Sequence, residues 1–250
     1  MQTLPPVWMP TARGQLTVHT VSSADGAVQL AQDIAPRLAA AIQSRGGAVL
    51  CVSGGKSPIA LFEALRVQPI DWSHVRVTLT DERCVPCTHP DSNAGLVRQY
   101  LLQDHASAAQ LVPLVAETVE PHSSALMQAS IASLALRALG RADVLVLGMG
   151  ADGHTASLFR EAANLDDALD LNNPQACVAI ELAHPPANAP YARVTQTLAQ
   201  LLSARHIVLP LSGDEKLATL RLAWSGLSHQ YPISHVLHQT QAPVALWISL

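Results

Sequence analysis

Short runs rich in β-branched and aliphatic residues alternate along the chain with longer Ala- and Leu-rich stretches whose apolar positions recur at helical spacing. The runs predict strands at Ala48–Ser53, Val75–Thr80, Val144–Leu147, Cys177–Ile180, His206–Leu211 and Val244–Ile248. The longer stretches predict helices near Ala24–Ser44, Pro58–Leu65, Asn93–Leu102, Ser123–Leu139, Thr195–Leu202 and Asp214–Trp224. Such alternation implies parallel strands joined by crossover helices, and nearly continuous apolar strands imply cover on both faces. The expected fold is α/β: a three-layer, doubly wound, mostly parallel sheet with helices on both faces, Rossmann-like. One domain over residues 1–250 is expected, because the Pro- and Asn-rich stretch His184–Pro190 reads as a loop too short for a domain linker.

Composition narrows the partner. Hydrophobic residues make up 49% and charged residues 14%, against disorder and against a nucleic-acid face of clustered Lys and Arg. A net charge of -4 disfavours a polyanion but leaves a few local cations free to grip one phosphate. No stretch is long and apolar enough to span a bilayer, and the opening MQTLPPVWMPTARGQ lacks a basic region followed by an apolar run. A cytoplasmic protein with a small-molecule ligand, no nucleic acid, no membrane and no obligate protein partner is expected. Cys51, Cys84, Cys87 and Cys177 are too unevenly spaced for a disulfide framework and are expected reduced. Cys84 and Cys87 have the spacing of a redox pair or half a zinc site. Without a matching second pair they read as incidental thiols, and no metal is expected.

Ligands of open α/β sheets bind outside the carboxyl ends of the strands, so chemistry is sought in the loops that follow them. The first is Ser53-Gly54-Gly55-Lys56-Ser57-Pro58, where two glycines admit close approach and a helix start offers free N–H groups to an anion. Its Gly-Lys-Ser lacks the glycine that a nucleotide triphosphatase loop needs five positions before Gly55, where Leu50 stands. The second holds Asp81, Glu82 and Arg83: the guanidinium can fork onto a phosphate, and a neighbouring carboxylate can orient it or a substrate hydroxyl. The third runs from Gly148 to Thr155 and matches GxGxxG at Gly148, Gly150 and Gly153, after a strand and before an expected helix. That raises a nicotinamide-dependent oxidoreductase as a rival, weakened by Asp152, whose charge opposes a pyrophosphate. His154, at the mouth of the sheet, is a candidate general base.

Taken together, Ser53-Gly54-Gly55-Lys56-Ser57-Pro58, Thr80 to Pro86 with Asp91-Ser92-Asn93, and Leu147 to Phe159 resemble the 6-phosphogluconolactonase family. Arg193-Val194-Thr195, Ala204-Arg205 and Gly213-Asp214-Glu215-Lys216 extend the resemblance over most of the chain from about residue 20. The related glucosamine-6-phosphate deaminases typically read Asp-Glu-Tyr and Gly-His-Ile-Ala-Phe-Asn-Glu where this chain has Asp81-Glu82-Arg83 and Gly153 to Phe159. They remain the nearest alternative; a regulator that binds sugar phosphate without turnover is a third. One departure stands out: Arg160-Glu161 replaces the Pro-Gly that usually follows Phe159.

The resemblance implies hydrolysis of a phosphorylated sugar lactone without cofactor or metal. His154 would activate water, with Asp152 orienting it. Ser53, Gly54, Gly55, Lys56, Asp81, Arg83, Arg193 and Lys216 would bind substrate. Among these, Arg83 and Lys216 would grip the phosphate with Gly54 and Gly55, while Arg193 would help there or steady the oxyanion.

Overall fold

The computed structural model describes residues 10–11, 14–118, 124–182 and 191–250. Among the described residues the strands are β1 (Leu16–Val21), β2 (Ala48–Val52), β3 (Val75–Leu79), β4 (Asp81–Arg83), β5 (Gln110–Leu111), β6 (Val144–Val146), β7 (Cys177–Ile180), β8 (Arg193–Gln196), β9 (Ile207–Ser212) and β10 (Val244–Ser249). Its α-helices are α1 (Gly26–Arg45), α2 (Ile59–Arg66), α3 (Asn93–Tyr100), α4 (Ala125–Leu139), α5 (Leu165–Leu169), α6 (Leu198–Leu202), α7 (Asp214–Trp224) and α8 (Ile233–Leu237).

Seven strands form one parallel sheet in the order β1-β10-β9-β6-β2-β3-β5. Alternate residues feed two cores, as the pleat requires. Leu50, Val52, Val144 and Val146 pack with Leu38 of α1, Phe62 of α2 and Leu136 of α4. Cys51, Leu145, Leu147 and Leu246 face Leu201 of α6, Leu220 of α7 and Val236 of α8. The expected three-layer α/β architecture is present. The strand order departs in opposite directions from β2, toward β3 on one side and β6 on the other. The ends of β2 and β6 therefore flank the switch point where such sheets bind ligands.

Three expectations change. Cys177–Ile180 is a strand, but it lies outside the parallel sheet, in a small antiparallel sheet ordered β4-β8-β7. The helix expected over Thr195–Leu202 begins only at Leu198: Thr195 and Gln196 complete β8, and Thr197 caps the helix by accepting from the Gln200 N–H. The helix expected after Gly153 is absent, since Thr155 and Leu158 form a tight antiparallel bridge and the next helix starts at Leu165. Strand β1 escaped the sequence reading, as did the polar β4 and β8. The His184–Pro190 loop and Ser123 lie outside the described residues. Among the described residues, no helix is long and apolar enough to cross a membrane.

Candidate active site

A cavity of about 180 Å³ opens at the carboxyl ends of β2 and β6. Its foundation is a chain of buried hydroxyls. Ser53, leaving β2, accepts from the Gly148 N–H at 2.9 Å, and its Oγ lies 3.0 Å from Thr80 Oγ1. Thr80 donates its one hydroxyl proton to Asp81 Oδ1 (3.0 Å), so Ser53 must donate to Thr80. The other Asp81 oxygen accepts from Ser157 at 2.5 Å. Three loops far apart in sequence are thereby tied together under the cavity.

Along β4 the side chains alternate. Glu82 turns to the start of α3 and accepts the N–H groups of Arg83, Asn93 and Ala94 at 2.7–2.8 Å and the Ser92 hydroxyl at 3.1 Å. Burial raises its pKa against the pull of those donors. Glu82 thus docks α3 and does not orient a guanidinium. Arg83 donates through Nη1 to the Asp91 carbonyl (2.7 Å) and to Asn93 Oδ1 (3.0 Å). Gly54 is required here, because a Cβ at that position would overlap the Asn93 amide.

Directly across the β4–β8 ladder from Arg83 stands Arg193. It is 5% exposed, and among the described residues its side chain has no hydrogen-bond or ion-pair partner. The Nε of each arginine is buried without an acceptor. Burial, then the charge of Arg83, lowers the Arg193 pKa. Like charges placed opposite each other are destabilising, and the charges of Asp81, Asp91 and Glu82 offset the burial of Arg193 only in part. An anion between the two guanidinium groups would offset both costs.

The loop after β6 carries His154 and Asp152. Asp152 Oδ1 lies 2.5 Å from His154 Nδ1 and also accepts the His154 backbone N–H at 3.2 Å. Burial pulls the Asp152 pKa upward, but the hydrogen bond and charge of His154 prevail and hold it at about 2. An ionised carboxylate can only accept, so Nδ1 carries a ring proton, and in the neutral imidazole the lone pair falls on Nε2. Gly150 makes this geometry possible, since a Cβ there would strike the imidazole and the Asp152 carboxylate. Gly150 therefore serves a histidine. With no helix after Gly153, the loop also lacks the amide cradle that a dinucleotide site needs.

Of the expected residues, Ser53, Gly54, Gly55, Asp81, Arg83, His154, Arg193 and Lys216 line the cavity. Asp152 stands behind His154. Lys56 follows Gly55, whose φ of +85° turns the chain, and is exposed outside the cavity wall. Lys216, half-buried, lies 3.4 Å from Ser57; burial lowers its pKa. Asn93 and Ser57 also line the cavity and were not singled out as binding residues. Asn93 could have been found from Ser92-Asn93 opening a helix just beyond Arg83. Arg160 and Glu161 pair with each other at the surface (2.5 Å).

A profile described as glucosamine-6-phosphate isomerases/6-phosphogluconolactonase matches residues 22–247. The chain belongs to this family. It is 44% identical over 223 residues to a 6-phosphogluconolactonase of Pseudomonas putida, covering 88% of this chain and 89% of that one. It is 42% identical over 221 residues to a 6-phosphogluconolactonase of Neisseria meningitidis serogroup B, covering 87% and 91%. The crystal structure of a 6-phosphogluconolactonase from Shewanella baltica OS155 superposes with a TM-score of 0.85 at 39% identity, over 93% of this chain and 97% of that one.

Proposed function

We propose that this chain hydrolyses 6-phospho-D-glucono-1,5-lactone to 6-phospho-D-gluconate, a step of the oxidative pentose phosphate pathway. Relatives above 40% identity that bear the 6-phosphogluconolactonase name support this reading. The observation that carries it is one cavity holding two opposed arginines, of which Arg193 has no polar partner among the described residues, and a histidine held through Nδ1 by Asp152. The first suits a phosphate dianion and the second suits water activation.

In this reading His154 Nε2 takes a proton from water as the oxygen attacks the lactone carbonyl. The bond from C1 to the ring oxygen then breaks, that oxygen takes the proton back from the His154 imidazolium, and the open-chain acid leaves. Asp152 keeps the ring oriented and stabilises the imidazolium. Arg83 and Lys216 hold the phosphate with the amides of Gly54 and Gly55, and Arg193 joins Arg83 there. Anchoring the far end of the substrate uses binding energy to hold C1 against the water. Asp81, tied to Thr80 and Ser157, faces the cavity as an acceptor for a sugar hydroxyl.

Freshly generated 6-phosphogluconolactone tests the proposal: release of 6-phosphogluconate should exceed spontaneous hydrolysis. No acceleration over buffer would contradict it, and turnover of glucosamine-6-phosphate instead would move the chain to the other branch of the family.

A further inference from the structure

Phe159 is absent from the list of groups that touch substrate, yet it contacts two of them. Its ring lies 4.4 Å from the His154 ring, centroid to centroid, at an interplanar angle of 36°. The Arg193 guanidinium sits over the same ring, with Cζ 5.3 Å from the centroid. The phenyl group is 8% exposed and belongs to the core beneath the cavity.

Phe159 is itself firmly held. Thr155 Oγ1 donates to the Gly148 carbonyl (2.8 Å), and the Ser157 N–H donates to Thr195 Oγ1 (3.1 Å). Ser157 also reaches Asp81, and the Ala162 N–H closes onto the Phe159 carbonyl at 3.0 Å. Between them Ala156 adopts φ +49°, a left-handed conformation that a non-glycine residue keeps only when its surroundings impose it. The turn is thus locked to the glycine loop, to Asp81 on β4 and to Thr195 on β8.

We propose that Phe159 is a positioning residue, whose ring fixes the imidazole of His154 and the guanidinium of Arg193 relative to each other. The inference rests on the lactonase reading, in which one group is the base and the other a phosphate anchor. An electron-rich ring face attracts the guanidinium and also favours the imidazolium that forms as water is deprotonated. A rigid ring touching both sets the span between the anchored phosphate and the attacking water. That span decides whether C1 lies in reach of attack.

The test compares Phe159→Leu and Phe159→Tyr with the unmodified enzyme and with His154→Ala, in steady-state lactone hydrolysis. The leucine variant keeps apolar bulk and loses the ring: kcat should fall about tenfold with KM nearly unchanged, because all three cations remain. The tyrosine variant restores the ring face and should recover kcat to within about twofold. If the leucine variant does not fold, Phe159→Met carries the same comparison. Unmodified kcat in the ring-less variant, or equal losses in the leucine and tyrosine variants, would overturn the inference alone. Full turnover by His154→Ala would instead overturn the reading beneath it.

Discussion

The two sheets do opposite jobs. The seven-stranded parallel sheet buries aliphatic side chains on both faces, and its inner strand β2 is buried along its whole length. The small antiparallel sheet of β4, β8 and β7 places Arg83 opposite Arg193 and holds Asp81 and Thr195 under the cavity. A sheet selected for stability alone would not oppose two arginines and leave one buried without a partner. The large sheet is built on apolar cover; the small one opposes two like charges, a cost that the proposed phosphate contact would offset. Gln196 links them, donating to the Thr80 carbonyl (2.8 Å) through its backbone and to the Leu79 carbonyl (2.7 Å) through its side chain.

Substitutions that separate folding from binding sharpen this contrast. The largest expected effect on stability is in the large sheet: Leu50→Ala, at a fully buried position, should cost about 2–5 kcal/mol in urea unfolding and leave KM unchanged. In the small sheet Arg193→Met should raise KM about ten- to a hundredfold while the melting temperature holds or rises, because a charge-assisted contact is lost and a like-charge pair is relieved. A stability loss as large as that of Leu50→Ala, with KM intact, would erase the distinction. The smallest effect is expected beside the small sheet, at the thiols. Cys84 and Cys87 are free, and burial, then Glu82, pushes the Cys84 thiol up to about 11. Cys84→Ser with Cys87→Ser should leave kcat/KM within about twofold, since neither thiol lines the cavity.

The same contrast explains what the sequence made legible. The inner strands of the large sheet read as continuous apolar runs because both faces are covered, whereas its edge strands β1 and β5, partly exposed, escaped. Strands β4 and β8 read as a charge cluster and a helix start because their residues are chosen for the cavity, and their pairing spans more than a hundred positions. Periodicity is a local signal and misses such partners. At the site, the glycines and His154 were legible as motifs. Asp152 beside His154 was expected from the resemblance, whereas the Glu82 cap and the opposition of the arginines are geometric relations that only the folded chain displays. Lys56, placed by its motif among the phosphate contacts, lies outside the cavity because the turn at Gly55 carries it out.

The most direct test of the account is the rate of 6-phosphogluconate release from fresh 6-phosphogluconolactone, measured for the unmodified chain and for His154→Ala. The account predicts acceleration over buffer that falls about a hundred- to ten-thousandfold in the variant, with KM little changed. Undiminished turnover by His154→Ala would remove the histidine as base, and buffer-level rates in both proteins would contradict the proposed reaction itself.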